Sequence, residues 1–334
     1  MTTPDTAFPL PPWRTNAEGN LRRVGVELEM NGLDIDRLAA VAANYLNCTV
    51  EPTSRYERTL RGDPAGDWVV ELDFRLLKNM GREQRMEEDL GDELKSSAED
   101  LLKWVADSLV PLEVVSPPLP MDRLGEVNQL IIELREAGAK GTADRVANAF
   151  GMQFNPEMPD TDAETICAYL KAFMCLYDWL NARANINMTR KLTSYVDPFP
   201  AVYVRQVINP AYRPNLPTLI SDYLRDNPTR NRALDMLPLF KHLDPHRVAA
   251  HTGDKLIKSR PTLHYRLPDC RIDEPGWGMH LAWNDWLEVE YLAADPTRLE
   301  ACCRAYSEHL ERGVGRLLSR WAEETRRHWL RKAE

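Results

Sequence analysis

The 334-residue sequence predicts an α+β protein, in which strands with one apolar and one polar face are covered by helices on their apolar side. Five short segments alternate apolar and polar residues with the two-residue period of a half-buried strand. Longer segments carry apolar residues at three- and four-residue steps, as amphipathic helices do. No repeat or low-complexity linker divides the chain, so we expect one domain over residues 21–334 after an irregular, proline-rich arm at residues 1–20.

The composition is that of an ordinary soluble globular protein, with 43% hydrophobic and 28% charged residues. The net charge of −9 argues against a nucleic-acid-binding protein, which would carry a basic surplus. The most apolar helical stretch, residues 168–180, is too short to span a bilayer and contains Lys171 and Asp178. The N-terminus lacks the features of a secretory signal, and the six cysteines include no C-x-x-C pair. We therefore expect a cytoplasmic protein that binds neither nucleic acid nor membrane.

The elements of the first half follow from local patterns. "RRVGVELEM" predicts a strand at residues 22–30, and "IDRLAAVAANYLN" has helical apolar spacing. "DWVVELD" predicts a strand after the turn-prone "RGDPAGD". Residues 81–95 are charge-dense and predict a solvated loop or helix surface, and residues 96–110 predict a helix with a capping box. "PLEVVSPPLP" predicts a short strand that ends at its prolines.

The second half is richer in helices. We expect helices at residues 123–138, 162–185, 218–227 and 230–244, strands at 149–158 and 260–270, and either a strand or a short helix at 201–208. A C-terminal helical region over residues 296–332 is interrupted at Gly313 and Gly315. Its apolar positions favour packing on the body of the protein over an isolated coiled coil.

The polar faces of the five predicted strands share one chemistry, because they carry oxygen or nitrogen ligands and no lysine. They hold Glu27 with Glu29, Glu71 with Asp73, Glu113, Gln153 with Asn155, and His264 with Arg266. Any one of these strands could simply turn its polar side to water. Taken together, the carboxylates favour a divalent cation, and the lack of histidine in the N-terminal half favours magnesium over zinc. Magnesium usually accompanies phosphates, yet neither a P-loop nor a dinucleotide-binding motif is present.

These motifs resemble the amidoligase family, carboxylate–amine ligases of the glutamine synthetase and glutamate–cysteine ligase superfamily. The resemblance rests on "GVELE", "WVVELDFRL", "LEVVSPPL", "FGMQFNPE" in the place of a G-x-H-x-H strand, and "RPTLHYRLPD" in the place of a strand ending in E-x-R. Their order also matches, and they span residues 22–270, about three quarters of the chain.

The resemblance implies a glutamine-synthetase-like catalytic domain, in which a curved, mostly antiparallel sheet surrounds a polar cleft for ATP and Mg²⁺, with Mn²⁺ as an alternative. ATP would phosphorylate a small-molecule or peptide carboxylate, and an amine would attack the acyl phosphate. Metal ions would bind Glu27, Glu29 and Glu113, and Arg266 would hold the transferred phosphoryl group or the acyl phosphate. Glu71 or Asp73 would complete the metal shell or receive the proton that the amine loses.

Three positions depart from the family pattern. Gln153 and Asn155 stand where histidines are usual, and His264 stands where glutamate is usual. These three residues would serve as weaker ligands of a second metal ion, and Glu157 could restore a carboxylate if its strand continues.

Two basic segments could reach the nucleotide phosphates. They supply Arg230 and Arg232 in "NPTRNR", and Lys255, Lys258 and Arg260 in "KLIKSR". A surface ion-pair cluster is the alternative for the first segment, and a solvated loop is the alternative for the second.

Two further functions remain open at this stage. The first is a degenerate ligase that binds nucleotide or peptide as a regulatory or scaffold protein, and the three departures motivate it. The second is a carboxylate kinase that forms ADP without needing an amine.

Overall fold

The strand β1 (Arg23–Met30) lies in the middle of a nine-stranded open sheet. The structure is a computed structural model, and it describes residues 8–73, 111–142, 150–184, 196–311 and 318–331. The other strands are β2 (Thr49–Ser54), β3 (Glu57–Arg61), β4 (Trp68–Leu72), β5 (Leu112–Val115), β6 (Leu119–Pro120), β7 (Met152–Pro156), β8 (Leu234–Asp235) and β9 (His264–Tyr265). Their order is β2-β3-β4-β5-β1-β7-β9-β8, and β6 pairs with the start of β1. All strand pairs formed by these described strands are antiparallel, so the prediction of a mostly antiparallel sheet is confirmed.

Ten α-helices lie within the described residues. They are α1 (Ile35–Leu46), α2 (Leu124–Glu136), α3 (Ala163–Ala184), α4 (Ala201–Ile208), α5 (Leu216–Asp226), α6 (Leu237–Leu243), α7 (Pro245–His251), α8 (His280–Ala293), α9 (Pro296–Glu311) and α10 (Leu318–Glu324). A short 3₁₀ helix, Met121–Arg123, precedes α2, and a π-helical turn, Thr325–Trp329, follows α10.

The apolar face of the sheet packs against helices, as the alternating pattern predicts. On β1 the buried apolar side chains are Val24, Val26, Leu28 and Met30. Phe154 of β7 meets Trp283 of α8 edge to face at 5.6 Å, and Tyr265 of β9 lies 5.0 Å from Trp286 of the same helix. Because successive residues of a strand alternate faces, this packing directs the glutamates of β1 to the opposite face.

Several sequence predictions need correction. Residues 230–236 are not helical, because Leu234 and Asp235 pair with β9 and only Leu237–Leu243 forms a helix. The strand predicted at 260–270 is reduced to His264–Tyr265. The hairpin of β2 and β3 was not predicted, since β2 is exposed throughout and contains Pro52. Residues 201–208, which left two alternatives open, are the helix α4.

Other predictions concern residues that lie outside the described ranges. These are the charge-dense segment 81–95, the helix at 96–110, and the interruption of the C-terminal region at Gly313 and Gly315. On either side of that interruption the predicted helical character is confirmed by α9 and α10. Within the arm, residues 8–20 form no helix or strand beyond a single bridge between Thr15 and Leu21.

Candidate active site

A cavity of about 230 Å³ opens on the polar face of the sheet, between β1, β4 and β5 and the segment that precedes β9. Its walls differ in charge. The sheet side carries carboxylates, and the opposite side carries nitrogen-containing side chains. The carboxylates are Glu27, Glu71, Asp73, Glu113 and Asp235, and the nitrogen-containing residues are Arg230, Lys258, Arg260 and His264. The cavity thus gathers eight of the residues that the sequence singles out, together with Asp235.

Three glutamates form a row across the sheet. The register places Glu29 of β1 directly opposite Glu113 of β5, which in turn lies opposite Glu71 of β4. Glu113 is 1% exposed and Glu29 is 8% exposed. Directly opposed like charges destabilise a sheet, and buried carboxylates need a compensating cation or hydrogen bonds. This row is the strongest sign that the polar face serves a purpose other than hydration.

Glu29 is compensated within the protein. Its Oε2 accepts a hydrogen bond from the backbone N–H of Gly151 at 2.7 Å. Its Oε1 accepts another from the side-chain amide of Gln153, also at 2.7 Å. Both oxygens therefore have a donor from the edge of β7, and Glu29 does not belong to the residues that line the cavity.

Glu27 faces an amide and a guanidinium. The Nδ2 of Asn155 donates to Glu27 Oε1 at 2.9 Å, and a guanidinium nitrogen of Arg260 lies 3.6 Å from the same oxygen. That guanidinium nitrogen also donates to Asn155 Oδ1 at 2.6 Å. Glu27, Asn155 and Arg260 thus form one hydrogen-bonded, charge-compensated group at the floor of the cavity.

His264 sits between two oxygen acceptors. Its Nε2 lies 2.6 Å from Gln153 Oε1, and its Nδ1 lies 3.5 Å from Asp235 Oδ2. Burial lowers the pKa of His264 to about 4, while Asp235 and Glu27 oppose that shift. Burial is the largest of these influences, so the imidazole is neutral near neutral pH. Gln153 and Asp235 each place an oxygen near one ring nitrogen, and a neutral ring can donate to only one of them.

The side chain of Arg266 hydrogen-bonds to the backbone of Arg230. One of its terminal nitrogens donates to the backbone carbonyl of Arg230 at 2.6 Å, and its backbone N–H donates to Ala233 O. The side chain of Arg230 is held in turn by Asp254, with Nε 2.6 Å from a carboxylate oxygen. Arg266 is not among the cavity-lining residues, so its predicted contact with a phosphoryl group stays a prediction.

The remaining candidates lie away from the cavity. Arg232 donates to Asn227 Oδ1 at 2.8 Å and to the carbonyl of Pro198 at 2.9 Å, which gives it a role in loop structure. Glu157 accepts from Asn16 Nδ2 and from the backbone N–H of Arg23, and so ties the N-terminal arm to β7. Lys255 is exposed and does not line the cavity.

Asp235 is the site residue that the sequence reasoning missed. It is fully buried on β8, directly opposite His264, and lines the cavity. The signal was present, because an aspartate within the apolar run "ALDML" needs an explanation. The run was instead interpreted as part of a helix.

Among the described residues, the carboxylate wall of the cavity has donors that suit a magnesium ion. Within the described residues, no three His, Cys, Asp or Glu side chains are placed to hold a metal ion together. Magnesium does not require such a cluster, since it commonly uses one or two carboxylates, waters and substrate phosphates. The hard carboxylates Glu71, Asp73 and Glu113 suit it. The residues expected at a second site do not, because the oxygens of Gln153 and Asn155 already accept hydrogen bonds from His264 and Arg260.

The polar face of the antiparallel sheet thus carries a cavity between carboxylates and cationic side chains, whose charges suit a small, multiply charged ligand. A family model described as "putative amidoligase enzyme" matches residues 20–288. The chain therefore belongs to this family, which indicates a ligase enzyme. No curated protein and no solved structure matches the chain. No helix of the described residues has the length and apolar character needed to cross a membrane.

Proposed function

We propose that the protein is an ATP- and Mg²⁺-dependent carboxylate–amine ligase that forms an amide through an acyl phosphate. One observation carries this proposal: family membership coincides with a cavity in which a carboxylate wall faces a wall of three cationic side chains. A nucleoside triphosphate with its magnesium ion would fit between these walls, because the carboxylates would bind the ion and the cationic side chains would bind the phosphates. The substrates would be a small-molecule or peptide carboxylate and an amine.

Different residues of the cavity would bind the metal ion and the phosphates. Glu113 and one of Glu71 and Asp73 would hold the magnesium ion, whose charge would neutralise the phosphates when it is bound. Lys258, Arg260 and Arg230 would bind phosphate oxygens from the opposite wall. They would orient the terminal phosphorus toward the acid, and Arg266 would act by fixing the backbone of Arg230.

The proposed chemistry has two balanced steps. A carboxylate oxygen of the acid attacks the terminal phosphorus of ATP, and ADP leaves. The amine then attacks the acyl carbon, inorganic phosphate leaves, and the nitrogen loses one proton. Glu71 or Asp73, both at the cavity wall, would accept that proton.

The test uses hydroxylamine as a generic amine. The full chain is incubated with ATP, Mg²⁺ and pools of amino acids or short peptides, and ADP and hydroxamate are measured. We expect equal amounts of both products, formed only when an acid and Mg²⁺ are present. Glu113→Gln should lose most of this turnover. Glu57→Gln is the matched control, because Glu57 continues the same row opposite Glu71 but does not line the cavity.

A non-catalytic nucleotide-binding protein is the second candidate function. The observation that favours it is the closed hydrogen-bonded group formed by Glu29, Gln153 and His264, where the resemblance expects metal ligands. Nucleotide binding without ADP formation across all acid pools would support this candidate and contradict a ligase. ADP formation that needs an acid but proceeds equally well when hydroxylamine and every other amine are left out would instead point to a carboxylate kinase.

A further inference from the structure

The two side-chain amides of β7 are oriented by their neighbours. Arg260 can only donate hydrogen bonds and the Glu27 carboxylate accepts them, so Asn155 must turn its oxygen to Arg260 and its NH₂ to Glu27. The same reasoning turns the NH₂ of Gln153 to Glu29 and its oxygen to His264. Each amide oxygen is therefore directed at a neighbouring nitrogen, and the NH₂ group of each amide cannot coordinate a cation.

Arg260 supplies a permanent positive charge at this place. Its guanidinium lies 3.6 Å from Glu27 Oε1, and the Glu27 side chain is only 5% exposed. A magnesium ion bound to that oxygen would sit at about 2.1 Å from it. It would then lie within a few ångströms of the guanidinium, whose charge would repel it in a poorly solvated site. The guanidinium of Arg260 already compensates the charge of Glu27, and it would repel a metal ion bound to the same carboxylate.

The backbone around Arg260 is fixed to the rest of the fold. The N–H of Arg260 donates to the carbonyl of Pro238 at 3.2 Å. Its neighbour Pro261 accepts from Met158 N at 3.0 Å, and Leu263 N donates to Pro156 O at 3.0 Å. These bonds hold the backbone of residues 260–263 beside the end of β7, and the hydrogen bond to Asn155 Oδ1 places the guanidinium there.

The Arg260 side chain lines the cavity and is 29% exposed, so a ligand in the cavity can reach its guanidinium. Its Nε is buried and has no hydrogen-bond partner among the described residues, although the side chain lines the cavity. A buried donor without a partner calls for an explanation, and a bound anion is one. The guanidinium fork matches the oxygens of a phosphate.

We propose that the Arg260 guanidinium takes the place of a second metal ion in this site. The chain would bind a nucleotide with one divalent ion and Arg260, where the resemblance implies two ions. The replacement of a metal by Arg260 is independent of the proposed ligase activity. The contact between Arg260 and a phosphate rests on that proposed function.

The first test counts metal ions. Mn²⁺ is titrated into the full-length protein, with and without β,γ-methylene-ATP, and free Mn²⁺ is followed by electron paramagnetic resonance. We expect a single Mn²⁺ ion per bound nucleotide and weak binding of Mn²⁺ alone. Two ions per nucleotide would overturn the inference and leave the ligase proposal standing.

The second test removes the charge. Arg260→Met should strengthen binding of Mn²⁺ alone by at least about tenfold, because Glu27 and Asn155 lose their cation. It should also weaken binding of the nucleotide analogue by about tenfold. Lys258→Met is the matched control, since it removes another positive charge from the wall of the same cavity. It should weaken nucleotide binding without strengthening Mn²⁺ binding.

The outcomes separate the two proposals. If no variant binds nucleotide, the ligase proposal fails, and the effect of Arg260→Met on Mn²⁺ alone still decides the role of Arg260. Unchanged Mn²⁺ binding in a folded Arg260→Met variant would overturn the inference. If that variant does not fold, Arg260→Lys keeps the charge and should retain one ion per nucleotide, and a second ion there would contradict the proposal.

Discussion

Glu29 and Glu113 face each other on adjacent strands, and of the two only Glu113 lines the cavity. Both oxygens of Glu29 accept hydrogen bonds from β7, from a backbone N–H and from Gln153. Glu29→Gln leaves one of these donors without an acceptor in a buried place. We therefore expect a loss of about 1–3 kcal/mol in the free energy of unfolding, measured by urea denaturation.

The control for this change is an exposed carboxylate of the same sheet. Glu51 on β2 pairs with Arg61 at 2.6 Å, and both side chains are more than half exposed. Glu51→Gln should change the free energy of unfolding by less than about 1 kcal/mol. Equal losses in the two variants would contradict a buried structural role for Glu29.

The buried carboxyl of Asp178 in α3 predicts that the free energy of unfolding depends on pH. Burial raises the pKa of this carboxyl to about 6, above its ordinary value of 3.8. Between these values the folded state binds the proton more tightly than the unfolded state, so this group lowers stability as pH rises through that window. Asp178→Asn should raise the free energy of unfolding by about 1–3 kcal/mol near pH 8 and by little near pH 4.

Asp285 offers a matched comparison for that experiment. Burial also raises the pKa of Asp285 to about 6, but Arg183 pairs with it and opposes the shift. Asp285→Asn loses the ion pair with Arg183, so its free energy of unfolding at alkaline pH should rise less than that of Asp178→Asn. Thermal unfolding of both variants between about pH 4 and pH 8 checks the sign. A loss of stability near pH 8 in Asp178→Asn would contradict the raised pKa of Asp178.

At the scale of single elements, helix α1 begins with a predictable cap. Asp34 accepts a hydrogen bond from the backbone N–H of Arg37 at 2.8 Å, as an N-cap aspartate should. Asp34→Ala should lower the free energy of unfolding by about 1 kcal/mol. Asp36→Ala in the same first turn removes an exposed carboxylate paired with Arg58, and should cost less. Chemical denaturation of the two variants compares the cap with the surface pair.

The strands show where local patterns stop being informative. The alternation in β1, β4 and β5 predicted their faces, because each has a buried apolar side whose period is two. The hairpin of β2 and β3 was missed, since β2 buries nothing and contains a proline. The strand β9 is only two residues long, and its pairing with β8 joins Leu234 to Tyr265 and Asp235 to His264, which are far apart in sequence. Such pairing arises from tertiary packing, which outweighs local propensity.

At the scale of the whole molecule, the carboxylate wall of the cavity could be predicted and the opposite wall only in part. Glu27, Glu71 and Glu113 share one face because strand geometry requires it. Arg260 and Lys258 were candidates from charge alone, and nothing in their spacing indicated that Arg260 would contact Asn155 and Glu27. That contact depends on where the segment before β9 crosses the sheet, which long-range hydrogen bonds decide.

A buried ionic group joins distant parts of the chain. Arg22 and Glu290 are both 0% exposed, and two guanidinium nitrogens of Arg22 each lie 3.0 Å from a different oxygen of Glu290. Arg22 also donates to the carbonyl of Trp13, and Glu290 accepts from Trp286 Nε1 and from the hydroxyl of Tyr169. The group therefore links the N-terminal arm, the start of β1, α3 and α8.

Breaking this group should be among the costliest single changes in the chain. Glu290→Gln leaves the guanidinium of Arg22 buried without a counter-charge, and the loss of one partner of a buried pair typically costs about 3–5 kcal/mol. Glu288→Gln on the same helix is the control, because Glu288 pairs with Arg331 near the surface and should cost less than about 1 kcal/mol. Urea unfolding followed by tryptophan fluorescence compares them. If Glu290→Gln costs no more than Glu288→Gln, the link between the arm, the sheet and the two helices does not stabilise the fold in the way that its geometry implies.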